Sequence, residues 1–194
     1  MKQQSVGNKR VNFIKRTRKN NQTDIPTKDA KLYFGFDNGV TGTIGAIWGN
    51  KTWFFEFPVK KEQNYTKKKG NITRVIYSDL LIKLKEVIAL CNFPPMMCLI
   101  ERPMVNPGRF AATISAVRAL ETTLNVVEVL RIPYQYEDSK KWQKELLPNG
   151  SVKEQLKVDS KTIGCRLFPQ HSELITKHKD ADGILMAEYC RRKF

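Results

Sequence analysis

Residues 32–37, Leu-Tyr-Phe-Gly-Phe-Asp, decide the fold, because large apolar side chains follow one another and the run ends on an acid. A short run of this kind is typical of a buried β-strand. Alternating apolar residues around 44–48 and 53–57 predict a second and a third strand. Short connections favour antiparallel neighbours, so we expect a three-strand meander.

The segments after this meander alternate between helical and strand patterns. Residues 59–74 are polar and basic and predict an exposed loop. Ser78 is then expected to cap a helix that has apolar side chains at helical spacing over 81–88. Residues 97–100 predict a short buried strand, which delivers Glu101 at its C-terminal end.

A long amphipathic helix is predicted after Pro107 and Gly108, with small residues that would let it approach a sheet closely. Its apolar stripe consists of Phe110, Ile114, Val117, Leu124 and Val127. Residues 133–136 predict another strand, and helices are expected around 158–168 and 179–191. This order of strands and helices predicts an α/β protein with a mixed sheet.

The charge of the chain points to a polyanionic partner. The formal net charge is +15 over 194 residues, which favours nucleic acid over an anionic membrane surface. A very soluble basic protein is the alternative explanation. The first 23 residues contain no acid, so we predict a flexible basic arm over 1–30 and a single folded domain over 31–194.

Cysteine usage and hydropathy narrow the class of protein further. The chain has four cysteines without a Cys-x-x-Cys pair and only two histidines, which argues against a zinc finger. Most of the cysteines are predicted to be buried thiols in a reducing compartment. No apolar run approaches the roughly 20 residues of a membrane span. We expect a cytoplasmic location and no membrane partner, and organellar targeting stays open because transit peptides are also acid-poor.

Three acids fall where predicted elements begin or end. Asp37 ends the first strand, Glu101 ends the fourth, and Asp182 opens the last helix. If the first and fourth strands are neighbours, Asp37 and Glu101 lie side by side. Carboxylates gathered in a cleft repel one another unless a divalent cation such as Mg²⁺ neutralises them, and such a site supports phosphodiester hydrolysis. Each acid alone also fits a plain turn, an ion pair or a helix start.

Several motifs match the pattern of one known protein family. Residues 35–42, Gly-Phe-Asp-Asn-Gly-Val-Thr-Gly, resemble the opening Gly-x-Asp-Pro-Gly-x-x-Gly of the RuvC-type Holliday-junction resolvases, with Asn38 in place of proline. Residues 99–103, Leu-Ile-Glu-Arg-Pro, resemble its second motif, a strand that ends in Glu. Residues 132–134 with Trp142 are similar to a region of phage-borne relatives. Residues 180–189 look like their closing helix, which chloroplast resolvases share with Glu in place of Asp.

The resemblance covers roughly residues 32–192 and implies an RNase H-like fold, a mixed five-stranded sheet flanked by helices. It implies Asp37, Glu101 and Asp182 as catalytic ligands of Mg²⁺, with Mn²⁺ able to substitute. The family has a fourth ligand one turn earlier on the last helix. His178, four residues before Asp182, is expected on the same helical face and is preferred as fourth ligand or general acid–base. Asp180 is the reserve, and His178 as an exposed residue at the helix start stays open.

The resemblance further implies a crossover junction endodeoxyribonuclease, a homodimer that resolves four-way junctions by paired symmetric nicks. Phe110 and Ile114 are the expected dimer face, although their helix would equally suit core packing. Basic residues expected to contact DNA phosphates are Lys60, Lys61, Lys67, Lys68, Lys69, Arg74, Arg109, Arg118, Lys140 and Lys141. Trp142 is expected either in the core or stacked on a base.

Three other functions are compatible with parts of the pattern. The same fold serves nucleases that act on other branched DNA or on RNA–DNA hybrids. Actin-like and sugar-kinase ATPases also carry an Asp-x-Gly-x-Thr-Gly loop, but they need two such domains, for which 194 residues are too few. A non-catalytic nucleic-acid-binding module would not require Asp37, Glu101 and Asp182 together.

Overall fold

The computed structural model describes residues 30–63, 69–148 and 153–194 of the chain. The predicted basic arm lies outside the described residues, apart from Ala30. In chain order the elements are β1 (Leu32–Phe36), β2 (Thr43–Trp48), β3 (Lys51–Glu56), β4 (Val59–Gln63), β5 (Asn71–Val75), α1 (Tyr77–Leu90), β6 (Met96–Glu101), α2 (Phe110–Val129), β7 (Tyr134–Glu137), α3 (Ser139–Leu146), α4 (Lys153–Leu167), α5 (Ser172–Lys177) and α6 (Asp182–Lys193).

Five strands form one mixed sheet in the order β3-β2-β1-β6-β7. The meander β1-β2-β3 is antiparallel, whereas β6 runs parallel to β1 and β7 runs parallel to β6. The predicted α/β fold, a mixed five-stranded sheet flanked by helices, is confirmed. The expected pairing of the first strand with the strand that ends at Glu101 is also confirmed, with Phe36 opposite Ile100.

Helices cover both faces of this sheet, and each face has its own apolar core. One core joins Phe34 and Phe36 to the buried sides of α1 and α2. The other joins Leu99 and Trp142 to α4, α5 and α6. Strand β1 therefore sends alternate side chains into two cores, which explains why its sequence is almost continuously apolar.

The backbone of helix α6 packs directly against the backbone of β1 and β2, without side chains between them. A Cβ atom built on Gly45 would lie 2.3 Å from Cα of Ile184, and one built on Gly35 would lie 2.2 Å from the backbone N of Ala187. The backbone N–H of Gly183 donates to Oγ1 of Thr43 at 3.0 Å. This contact fixes the start of α6 beside the loop that follows β1.

The structure corrects the expected loop over 59–74. Strands β4 and β5 pair there as an antiparallel hairpin, with Val59 opposite Val75 and Gln63 opposite Asn71. The two strands consist mostly of polar and charged residues without an apolar alternation, so the pattern of hydrophobicity did not show the hairpin. Ser78 is not a helix cap either, because α1 already begins at Tyr77 and the Ser78 hydroxyl donates to Asp79.

The long helix α2 is present, but its predicted stripe is buried only in part. Its buried residues are Ala119, Thr123, Val126 and Val127, whereas Phe110 is 72% exposed. The helix shares a core with Phe34 and Phe36 of the central sheet, but its closest backbone contacts with other helices and strands are with α1 and β5. The close approach that small residues permit is instead made by α6.

The C-terminal third contains more helices than predicted. Helices α3 and α5 are additional, α4 begins at Lys153, and α6 begins at Asp182 rather than near residue 179. Trp142 is fully buried, which matches the expectation of a core residue rather than of one that stacks on a base. Cys91, Cys98 and Cys190 are buried, and none of the cysteines forms a disulfide. Within the described ranges, no helix is long and apolar enough to cross a membrane.

We expect Gly45→Ala to destabilise the fold by about 3 kcal/mol, because the new methyl group must displace the backbone of α6. Gly108→Ala is the matched control, since its Cβ would meet only the Asn106 side chain, at 3.3 Å. Urea unfolding of both variants measures the difference. Equal stability of the two variants would contradict the backbone contact.

Candidate active site

Asp37 and Glu101 lie at the carboxyl ends of two adjacent parallel strands. Asp37 directly follows β1, and Glu101 is the last residue of β6, one step beyond the pair Phe36 and Ile100. The backbone N–H of Asp37 donates to the Thr43 carbonyl at 3.0 Å, which fixes the turn after β1. The two acids therefore lie on neighbouring strands at the same end of the sheet, as expected.

Asp180 and Asp182 approach Asp37 from the other side. Each of these three aspartates offers a carboxylate oxygen, and the three oxygens lie within 4.8 Å of one another. We call Asp37, Asp180 and Asp182 the aspartate cluster. Oδ2 of Asp37 is buried and accepts no hydrogen bond from any described residue. A buried carboxylate oxygen with unused lone pairs, next to two more carboxylates, has the donor set of a divalent-cation site.

Two residues that the sequence analysis missed support the aspartate cluster. Ser160 of α4 is buried; its hydroxyl donates to Oδ1 of Asp182 at 2.5 Å and accepts from the Ala181 N–H at 3.0 Å. Nζ of Lys179 lies 3.5 Å from Oδ2 of Asp180 and 3.8 Å from Oδ2 of Asp37. Nothing in the sequence pattern marks Ser160, whereas Lys179 is signalled by its place beside Asp180.

Glu101 borders the cluster but is not one of its three close ligands. Burial, and then the charge of Asp37, raise the pKa of Glu101 to about 8. The indole N–H of Trp142 makes no hydrogen bond of good geometry, yet it faces Glu101 closely enough to favour the charged carboxylate. Glu101 also lines a cavity of about 550 Å³, where the Arg102 guanidinium lies 5.3 Å from the centre of the Tyr136 ring.

The neighbouring acid Glu137 shows what a fully compensated carboxylate looks like in this protein. It is opposite Glu101 in the sheet and is buried. Nζ of Lys193 lies 2.6 Å from one of its oxygens and Nζ of Lys141 lies 3.3 Å from the other. Burial alone would raise the pKa of Glu137, but these lysines and the Asp138 N–H lower it overall.

The aspartate cluster lacks such compensation. Burial, opposed by the charge of Lys179 and reinforced by that of Asp180, raises the pKa of Asp37 to about 6. Burial, then Asp180 and Asp37, raise the pKa of Asp182 well above its usual range. One ammonium group therefore faces several acids, and a bound divalent cation would supply the missing positive charge.

The structure corrects the geometry expected for His178 and Asp180. His178 follows α5 with an extended backbone, so it does not share a helical face with Asp182. Its Nδ1 is 3.1 Å from the Asp180 carbonyl, and its ring meets Phe54 edge-on. Asp180 lies before α6, so helical geometry does not point its side chain away from Asp182. Asp180, the second choice in the sequence analysis, is therefore the residue that joins the cluster.

The predicted phosphate-contacting residues differ in what surrounds them. Lys60 and Arg74 both pair with Glu62 across the β4–β5 hairpin, and Lys141 pairs with Glu137. Arg74 and Arg118 line one shallow cavity of about 210 Å³. The other described ones, all exposed, are Lys61, Lys69, Arg109 and Lys140. Lys67 and Lys68 lie outside the described residues.

The fold is similar to several solved structures. Neither a protein-family model nor a curated protein matches the sequence. RuvC of Thermus thermophilus in complex with a Holliday junction substrate is 13% identical, with a TM-score of 0.46 over 81% of this chain and 90% of that one. The yeast mitochondrial Holliday junction resolvase Ydc2 is 18% identical, with a TM-score of 0.41 over 87% and 85%.

A third similar structure is the fowlpox virus resolvase with Holliday junction DNA, which is 8% identical, with a TM-score of 0.40 over 84% of this chain and 95% of that one. These three structures are described as Holliday-junction resolvases or their complexes, and at identities of 8–18% their similarity to this chain is one of fold alone.

We expect the metal-free protein to lose stability as the pH rises from about 4 to about 8. The folded state holds protons on Asp37 and Glu101 that the unfolded chain has already released, so ionisation favours unfolding. The Asp37 shift alone corresponds to a loss on the order of 3 kcal/mol. Thermal unfolding across this pH range measures the loss.

Mg²⁺ at about 100 times its dissociation constant should restore about 2.7 kcal/mol at high pH, and much less at low pH where the acids are protonated. Asp37→Asn should flatten the metal-free profile. Asp79→Asn, which changes an acid in the first turn of α1 far from the cluster, is the control and should leave the profile unchanged. If the stability of the metal-free wild type rose with pH over this range, the assignment of Asp37 and Glu101 as uncompensated buried acids would be refuted.

Proposed function

We propose that this chain is a Mg²⁺-dependent, structure-selective DNA endonuclease that resolves four-way junctions. The observation that carries the proposal is the convergence of Asp37, Asp180 and Asp182, with Glu101 alongside, in a chain of net charge +15. These acids come from β1, β6 and the start of α6, which are far apart in the sequence. Their convergence on one edge of a sheet has no evident structural benefit, because uncompensated buried carboxylates destabilise the fold.

The proposed ligands of the cation are Asp37, Asp180 and Asp182, with Glu101 at the margin. Hard carboxylate oxygens suit Mg²⁺, and Mn²⁺ is expected to substitute. When bound, such cations would supply Lewis-acid assistance for hydrolysis of a phosphodiester bond. Ser160 holds Asp182 in its orientation, and the turn after β1 holds Asp37. His178 as a further ligand or general acid–base remains a prediction.

The cavity beside Glu101 is not lined by any of the three aspartates, and we propose that it receives the substrate next to them. Its lining includes Arg102, Lys141 and the exposed loop residue Met104, together with the acids Glu137 and Asp138. The exposed basic residues Lys69, Arg109 and Lys140 add positive charge around the domain. We propose that these groups hold DNA by its phosphates, each contact adding about 0.9 to the slope of log affinity against log salt.

A homodimer would place one site on each of two opposed strands of a junction. An apolar patch at the start of α2 is the proposed dimer face, and Phe110 at its centre is 72% exposed. The other members of this α2 patch are Met104, Val105, Ile114 and Val117. Exposed apolar side chains at this density mark an interaction surface, and a two-fold axis through it would give a self-complementary contact.

We expect Asp37→Asn to bind a synthetic four-way junction with at most a few-fold change in affinity and to cut it at least about 1,000-fold more slowly, since removing a metal ligand costs catalysis rather than phosphate contacts. Glu173→Gln, on the exposed side of α5, is the control and should cut normally. Gel-shift and strand-cleavage assays with Mg²⁺ measure both properties.

The substrate class is tested with the same preparation on a junction, a linear duplex, a flap and an RNA–DNA hybrid. Paired nicks confined to the junction support the proposal. Equal cutting of duplex or preference for the hybrid would assign the site to a different nuclease. Junction binding without cutting of any substrate, in the wild type with Mg²⁺ or Mn²⁺, would favour the non-catalytic binding module.

We expect Phe110→Asp with Ile114→Asp to convert the dimer to a monomer, because two charges would be forced into the α2 patch. Ile82→Asp with Leu90→Asp, on the exposed side of α1, is the matched control and should stay dimeric. Sedimentation at micromolar concentration measures the state. A wild type that sediments as a monomer, with and without junction, would refute this dimer face.

A further inference from the structure

The aspartate cluster contains a cation of its own. Lys179 lies in the link between α5 and α6, and its ammonium group stands between Asp180 and Asp37, at 3.5 Å and 3.8 Å from their Oδ2 atoms. Its side chain is 38% exposed, whereas those of Asp37 and Asp180 are 14% and 2% exposed. The side chain of Lys179 is therefore the most exposed of the three and reaches solvent beside two largely buried carboxylates.

Lys179 is held more loosely than Lys193, the lysine that pairs most closely with a buried acid among the described residues. Nζ of Lys193 lies 2.6 Å from Glu137, the separation of a strong charge-assisted hydrogen bond. The distances from Lys179 are about 1 Å longer, and they are shared between two carboxylates. A flexible four-carbon stem with an exposed flank lets the ammonium group leave without disturbing the backbone.

We propose that Lys179 is an internal counter-ion of the aspartate cluster, which a divalent cation must displace in order to bind. The inference rests on the proposed function, since it takes the cluster as the metal site. Both cations are attracted by the same carboxylate oxygens, and two positive charges this close repel each other. Lys179 therefore stabilises the metal-free protein and weakens the affinity for metal.

The test is a calorimetric titration of the full chain with Mn²⁺ at about pH 8 and low salt. We expect Lys179→Met to bind Mn²⁺ about tenfold more tightly than the wild type, because the competing charge is gone. Lys177→Met is the matched control. It removes the same charge two residues away, where Lys177 pairs with Glu173 at 2.6 Å on the exposed side of α5, and it should stay within about twofold of the wild type.

Thermal unfolding provides a second readout that does not depend on nuclease activity. Lys179→Met should melt at a lower temperature than Lys177→Met without metal and gain more from added Mn²⁺. Lys179→Arg should restore near-wild-type affinity because it keeps the charge. Lys179→Gln serves in place of the methionine variant if that variant is poorly folded.

The outcomes separate this inference from the proposed function. Tighter Mn²⁺ binding by Lys179→Met, beyond the control, supports the counter-ion role. Binding by Lys179→Met that equals the control, or is weaker, overturns it while the metal site stands. A wild type and variants that bind no Mn²⁺ at all overturn both the metal site and the counter-ion role.

Discussion

The contact of α6 with β1 and β2 is the constraint on which the rest of the structure depends. Gly35, Gly45 and Gly183 remove the side chains that would otherwise hold the helix a further few ångströms from the sheet. Every residue from Gly183 to Cys190 is buried as a result. A helix buried on all sides cannot shift along its axis without breaking two cores at once, so the position of Asp182 relative to Asp37 is set by packing rather than by the acids themselves.

This packing explains how several acids can be kept together at all. Other buried acids of the described domain are neutralised locally: Glu188 receives hydrogen bonds from Arg191 and Arg192, and Glu137 is held by Lys141 and Lys193. Among the described residues, the side chains near the aspartate cluster that can carry positive charge or donate are Lys179, the Ser160 hydroxyl and the His178 ring. Neither Lys179 nor His178 comes as close to an acid of the cluster as Lys193 does to Glu137. The carboxylates of the cluster repel one another, but the apolar cores hold the surrounding elements in place. Such an arrangement is expected where charged groups are kept together to bind a ligand rather than to stabilise the fold.

The sequence allowed the central sheet to be predicted because the information was local. Alternating or continuous apolar runs mark β1, β2, β3 and β6, and acids at strand ends identify one edge of the sheet. The β4–β5 hairpin escaped because its pairs, such as Lys60 with Arg74, are charged on an exposed ribbon. Asp180 was ranked below His178 by helical spacing, and that reasoning failed because the helix begins only at Asp182. Ser160 acts across 22 residues of sequence, and no pattern of spacing reports such a contact.

The non-helical link before α6 is what gives the site its capacity for several acids. On a helix, residues two positions apart point in different directions, so Asp180 and Asp182 could not both face Asp37. An extended backbone at His178, followed by the irregular turn at Ala181, brings both carboxylates to the same side and leaves the Lys179 ammonium group between Asp180 and Asp37. The hydrogen bonds of His178 to the Asp180 carbonyl and of Ser160 with Ala181 hold this link in place. The short irregular segment therefore sets both the number of acids that meet here and the position of the ammonium group beside them, which a longer α6 would not permit.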